Sequence, residues 1–221
     1  WWNTITAGDF NNDGKMDYIV GNLGRNSFYQ ASDKYPVKII AKDFDNNGTY
    51  DAFASTYLQA SQEDTEMKEF PVQLRDEALR QMVSLRQKFG DYKSYARATM
   101  DSLLTDEQRK GALQLHANYL SSACLINDGK GKFTMTSLPV QAQFSVLNGM
   151  TVGDYDGDGN LDVLINGNDY GTEPSLGRYD ALNGLLLRGD GRGNFSPQSI
   201  LQSGIYIPGD GKALVSLRSS K

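Results

Sequence analysis

Among its 221 residues the chain has one cysteine, Cys124, and one histidine, His116. A single cysteine excludes an intramolecular disulfide. A single histidine excludes His-based zinc clusters, and a Ser-His-Asp triad would have to draw on a residue in a stretch that reads as helical. For both residues the ordinary role is a packed core or surface position. No run of about 18 apolar residues occurs, so no segment reads as a transmembrane helix. There is no basic excess either. Lys and Arg number 22 against 27 Asp and Glu, for a net charge of −5. Nucleic-acid binding leaves a clustered positive face as its footprint, and none is evident, so nucleic acid is not an expected partner.

What the chain does have is a repeated acidic loop. The run Asp154-Tyr155-Asp156-Gly157-Asp158-Gly159-Asn160-Leu161-Asp162 puts carboxylates at positions one, three, five and nine, with a glycine after the third. Two further copies keep that spacing, Asp9 to Asp17 and Asp43 to Asp51. Asn11 replaces an acid in the first copy and Asn47 in the second, and each still offers a carbonyl oxygen. The expected ligands are therefore Asp9, Asn11, Asp13 and Asp17, then Asp43, Asp45, Asn47 and Asp51, then Asp154, Asp156, Asp158 and Asp162. Position seven, held by Lys15, Thr49 and Asn160, is expected to contribute a backbone carbonyl, so that its side chain should hardly matter. Calcium is the expected occupant, about three ions in all. It takes 6–8 oxygen ligands in irregular geometry, whereas magnesium demands a near-ideal octahedron. Without a cation, like charges this close would repel one another.

The EF-hand shares the first half of this pattern but needs a bidentate Glu at position twelve and flanking helices. Here position twelve is Val20, Ala54 or Ile165. The flanks Met16 to Val20 and Leu161 to Ile165 are short apolar runs that read as buried strands. The loops therefore sit between strands.

These residues carry a resemblance. The runs Gly8 to Asp17 and Gly153 to Asp162 resemble the FG-GAP or VCBS repeat, the calcium-bearing blade unit of integrin α-subunit propellers and of many secreted bacterial proteins. The whole chain is most similar to the bacterial cartilage-acidic-protein-like members of that class. The resemblance covers the repeat portions and not the middle of the chain. It implies an all-β fold, a partial β-propeller of three to four blades, with the side chains already named as ligands. Propellers close with four to eight blades. The chain is thus expected to be part of a larger propeller, or to associate so that its open sides are covered; an independently closed small propeller is the alternative.

Taken in order, residues 1–58 read as propeller blades with two calcium loops, 59–122 as an α-helical insertion, and 123–221 as blades with one calcium loop and a degenerate repeat. Strands are expected at Asn3 to Ala7, Ser27 to Gln30, Val37 to Ala41 and Ala52 to Tyr57. The first two loops are 34 residues apart, room for one blade of about four short strands. Leu74, Ala78, Leu79, Met82, Val83 and Leu85 form an apolar stripe behind Pro71, and Phe89-Gly90 ends that helix. Two more helices are expected, Asp91 to Leu104 and Asp106 to Leu120, the latter opened by a Thr105 to Gln108 capping box. Asn127 to Phe133 and Arg188 to Phe195 share an Asx-Gly and Gly-aromatic signature of tight hairpins. Arg188-Gly189-Asp190 spells the tripeptide that integrins recognise, but it falls where the hairpin already demands Gly-Asp-Gly. Ile207 to Val215 resembles the start of a repeat whose loop is lost. The chain opens at Trp1-Trp2 directly before a repeat and reads as a mature or excised piece.

Recognition is expected on loops carried by a rigid scaffold. The stretch from Asn168 to Asp180 is the best candidate, with Tyr170, Glu173, Arg178, Tyr179 and Asp180 suited to a sugar or a protein surface. The expected function is a calcium-stabilised, non-catalytic binding or adhesion module of an extracellular, cell-surface or periplasmic protein, with a glycan or protein as ligand. The alternative is a fragment of a polysaccharide-processing hydrolase or lyase on a propeller scaffold. The Asp154 loop, with four carboxylates, is expected to bind calcium most tightly.

Overall fold

The structure, a computed structural model, describes residues 1–217. Residues 218–221, which end the third expected range, lie outside the described residues. The described chain is mostly β: twelve strands form three four-stranded antiparallel sheets, and the helices are short. Two compact units divide it, Trp1–Phe28 together with the chain from Leu120 onward, and Tyr29–Tyr119.

The first unit holds two sheets. One is built from β1 (Thr4–Gly8), β2 (Asp17–Gly21), β7 (Ala123–Asn127) and β8 (Phe133–Ser137), in that spatial order. The other is built from β9 (Leu147–Gly153), β10 (Asp162–Gly167), β11 (Leu185–Gly189) and β12 (Phe195–Gln198), also neighbour to neighbour. Each is a pair of hairpins laid side by side. The central strands are the most apolar, and Ile19, Cys124, Leu147, Val163, Ile165 and Leu187 meet in one core, each 2 % exposed or less. Burying such side chains contributes about 1.5–3 kcal/mol each.

The second unit has one sheet, in the order β5 (Met67–Pro71), β4 (Asp51–Gln59), β3 (Val37–Lys42), β6 (Leu113–Ala117). Between β5 and β6 run five helices of four to seven residues: α1 (Arg75–Gln81), α2 (Leu85–Lys88), α3 (Tyr92–Tyr95), α4 (Met100–Leu103) and α5 (Asp106–Arg109). Their buried residues, among them Leu79, Met82, Leu85, Tyr95, Met100 and Leu104, form a core with Phe44 and Phe53. A last turn of helix, α6 (Ile200–Ser203), belongs to the first unit.

Several expected elements differ. Ser27 to Gln30 is not a strand, because β2 already has β1 on one edge and β7, from 100 residues further on, on the other. The loops at Asp9 and Asp43 consequently lie in different sheets and do not share one. The stretch 59–122 is not helical throughout, since β5 and β6 fall inside it. The apolar stripe is cut at Met82, whose backbone is extended (φ −120°, ψ 98°), and Leu74 and Val83 face solvent. The capping box at Thr105 forms as read: Gln108 N–H donates to Thr105 Oγ1 at 3.3 Å and Thr105 N–H to Gln108 Oε1 at 3.0 Å. The helix stops at once, however, with Gly111 at φ +71°, and His116 stands exposed on an edge strand. No strand forms over Ile207 to Val215. Asn166 Nδ2 donates instead to Ala213 O at 2.9 Å, holding that segment along the sheet of β9 to β12.

Candidate metal centres in the acidic loops

Each acidic loop joins two neighbouring antiparallel strands: β1 to β2, β3 to β4 and β9 to β10. One pattern of hydrogen bonds closes all three. The first acid caps the turn with both oxygens. Asp13 and Gly14 donate N–H to Asp9 at 3.0 and 2.8 Å, Asn47 and Gly48 to Asp43 at 3.0 and 2.9 Å, and Asp158 and Gly159 to Asp154 at 3.1 and 3.0 Å. The ninth-position acids Asp17, Asp51 and Asp162 are buried and accept the second residue's N–H, from Phe10, Phe44 and Tyr155 at 2.9–3.0 Å.

Positions four and six need left-handed backbone. Asn12 and Asn46 sit at φ +58° and Gly157 at +79°, while Gly14, Gly48 and Gly159 lie between +80° and +88°. Asn and Gly are the residues that enter this region most readily. Asn, Asn and Gly at position four carry the same signal in the sequence as the glycine shared by all three copies at position six.

The second and third loops bring positions one, three and nine together. Carboxylate oxygens of Asp43, Asp45 and Asp51 lie within 4.8 Å of one another, as do those of Asp154, Asp156 and Asp162, and each cluster could hold a metal ion. In the first loop Asn11 takes the third position between Asp9 and Asp17. The fifth-position side chains are engaged elsewhere, with Asp13, Asn47 and Asp158 accepting the seventh residue's N–H at 2.8–2.9 Å. The donor set is hard oxygen throughout. Asp45 Oδ1 is buried without a hydrogen-bond partner, which fits a cation bound beside it. Burial, together with the neighbouring Asp45 and Asp43 charges, pushes the Asp51 carboxyl above its ordinary value against the Phe44 bond that lowers it. A divalent ion bound there would offset those charges.

Two basic side chains already serve as counter-ions. Arg188 pairs with Asp156 and, at 2.9 Å, with Asp158, while Lys15 Nζ lies 3.0 Å from Asp13 Oδ2. Hydrogen bonding to Asn160 N–H and Arg188 holds Asp158 below the usual carboxylate range, and the Lys15 ammonium does the same for Asp13. Among the described residues no cation pairs with Asp43, Asp45 or Asp51. Two of the position-seven side chains also make contacts beyond their own loops. Lys15 fills the space over Gly129, where a Cβ would stand 2.6 Å from Lys15 Cδ. Asn160 Oδ1 accepts from Asn12 Nδ2 at 2.9 Å, which ties the first loop to the third.

The ninth-position acid has a second role that the spacing does not reveal. Asp17 Oδ1 accepts Asn127 N–H at 2.8 Å and Asp162 Oδ1 accepts Gly189 N–H at 2.9 Å. Each acid thus clamps its loop to the end of the third strand, where the Asx-Gly hairpins start. Those hairpins match atom for atom. Asp128 Oδ1 accepts Lys130 and Lys132 N–H at 2.7 and 3.1 Å, and Asp190 Oδ1 accepts Arg192 and Asn194 N–H at 2.8 and 3.1 Å. The Arg188-Gly189-Asp190 tripeptide is tied down at all three residues, with Gly189 buried against Leu161.

In the stretch from Asn168 to Asp180, Asp169 and Tyr179 bridge their backbones at 2.8 and 3.0 Å. Arg178 lies over the Tyr170 ring, 5.0 Å from its centroid, so these two expected ligand residues meet. Tyr179 is half-buried, whereas Glu173 and Asp180 are exposed. Compared with family models, curated proteins and solved structures, the chain finds no match in any of the three.

Proposed function

We propose that the chain is a calcium-stabilised, non-catalytic binding or adhesion module of a secreted, cell-surface or periplasmic protein, its sheets serving as blades of the FG-GAP/VCBS type and its ligand a glycan or a protein. One observation carries this reading. A single loop geometry occurs three times at the same strand-to-strand connection, and two of the copies gather carboxylate oxygens at positions one, three and nine. Mutually repelling carboxylates held at the ends of rigid strands favour a flexible, oxygen-loving cation, and calcium suits this better than magnesium. Extracellular calcium modules bind at about 10⁻⁴–10⁻³ M, in keeping with a location outside the cytosol. The edge strands β8, β12, β5 and β6 offer unpaired backbone to further blades or to a second copy.

The counter-ions change the expected ranking. Arg188 competes for the Asp154 loop, so the Asp43 loop binds first despite carrying one acid fewer. Calorimetric titration of chelator-stripped protein tests this. Three equivalents, with the tightest lost in Asp43→Asn, support the reading. Absence of binding, with unchanged melting on adding calcium, overturns it.

A further inference from the structure

Away from the acidic loops, the second unit carries a groove of about 1080 Å³ between the end of β5 and helices α1 and α3. It is as large as the roomier ligand sites of proteins, which span about 300–1,000 Å³. Phe70, Pro71 and Val72 give it an apolar side. Its charge runs against the rest of the chain. Lys68, Arg75, Arg80 and Arg97 line it beside only Asp76 and Glu77, in a protein of net charge −5.

Both acids are already used. Asp76 accepts from Arg75 Nη1 at 2.9 Å and from the Tyr92 hydroxyl at 2.8 Å, and Glu77 accepts the Leu74 N–H at 3.0 Å. Lys68, Arg80 and Arg97 have no carboxylate partner among the described residues. Tyr92 is 66 % exposed yet held in place, by its hydroxyl on Asp76 and by the Arg75 guanidinium 5.1 Å from the ring centroid. A fixed, exposed aromatic plate beside guanidinium groups offers two contacts at once. The plate stacks on the C–H face of a sugar ring, and the guanidinium forks take carboxylates bidentately.

We propose that this groove binds a uronate-bearing oligosaccharide, with Tyr92 as the stacking platform and Arg80, Arg97 and Lys68 as the carboxylate contacts. The inference rests on the binding-module reading above and names its ligand. An acidic peptide would enter by adding a strand to the free edge of β5. Pro71 removes a backbone donor from that five-residue edge, so the groove favours sugar over peptide.

The test is titration of the full chain, in calcium, with hyaluronan and unsulfated chondroitin octasaccharides and their carboxyl-reduced counterparts. Binding of an acidic octasaccharide at least tenfold tighter than its reduced form is expected. Arg80→Gln combined with Arg97→Gln should weaken it at least tenfold, and Tyr92→Ala comparably, while Tyr92→Phe keeps most of the affinity. Unchanged melting temperatures verify that these surface variants fold. Failure of both acidic octasaccharides to bind, equal binding of the reduced forms, or undiminished binding by the double variant overturns the proposal. So does a poly-glutamate peptide that displaces the sugar and binds more tightly. Calcium melts recorded alongside separate the two readings: stabilisation by calcium without sugar binding sinks only the groove, and sugar binding without calcium stabilisation sinks only the calcium module.

Discussion

Asp17 and Asp162 stand at the same place in two equivalent loops, and each spends both carboxylate oxygens on backbone N–H groups. Asp156, at position three of the third loop, is exposed and meets Arg188. The two kinds of acid should therefore respond oppositely to the same change. Asp162→Asn turns an acceptor into a donor facing a buried N–H, and should cost about 1–3 kcal/mol in urea denaturation of chelator-treated protein. Asp156→Asn should leave that stability within error and weaken calcium binding. Arg188→Gln, which removes the internal competitor, should tighten calcium at the third loop about two- to fivefold by calorimetry, since exposed pairs of this kind are weak. No gain would mean that Arg188 yields freely to the ion. The lone cysteine belongs at this scale too. Burial pushes the Cys124 thiol up to about 12, so a thiol reagent at pH 8 should label it only after denaturation.

At the scale of the element, the sheet of the second unit is tied across three strands by side chains. Lys38 on β3 reaches Tyr57 on β4 at 2.8 Å and Glu69 on β5 at 2.9 Å, and Ser55 donates to Glu69 at 2.6 Å. Burial raises the Glu69 carboxyl, but the bonds from Ser55 and Lys38 outweigh it and hold the group below its ordinary 4.5. Burial likewise lowers Lys38, and its bonds to Tyr57 and Glu69 carry it above its ordinary 10.5. A depressed acid contributes stability above its unfolded value and loses it as pH falls through the folded one. A raised base contributes below its unfolded value and loses it as pH rises through the folded one. The network should thus hold fully between about pH 4.5 and 10.5 and weaken outside those limits. Glu69→Gln should flatten the acid side of the stability profile, measured by melts from pH 3 upward. At this scale the hairpins and the Thr105 capping box could be read directly from residue order. The β6 strand could also have been read, because Leu113, Leu115 and Ala117 alternate with polar residues, the period of a strand and not of a helix. The capping box favours a helix continuing past Gly111, but the helix ends at Arg109 and the backbone turns left-handed at Gly111.

For the whole molecule, calcium that binds only the folded chain stabilises by about 2.7 kcal/mol at a hundredfold excess over its dissociation constant. Because the Asp43 loop belongs to the unit Tyr29–Tyr119, its ion should protect that unit. In hydrogen exchange, Asp43→Asn should abolish calcium-induced protection within Tyr29–Tyr119 and preserve it around Asp154. Equal loss in both would show that the two units respond as one.

Residue order alone determined the acidic loops, the Asx-Gly hairpins and the predominance of strands. The loops and the hairpins close their turns within about ten residues, so spacing and side-chain type suffice to specify them, and short apolar runs suffice to mark the strands. Tertiary structure decided which strands share a sheet. β2 pairs with β7 across a hundred residues, and β6 returns to the free edge of β3, outcomes set by which edges remain open and not by any local pattern. It also decided that Arg188 would neutralise Asp156 and Asp158, that Asp17 and Asp162 would clamp the third strand, and that Lys68, Arg80 and Arg97 would gather beside Tyr92. Those residues are far apart in sequence, or unremarkable where they stand. Their chemistry exists only once burial and pairing have set them side by side.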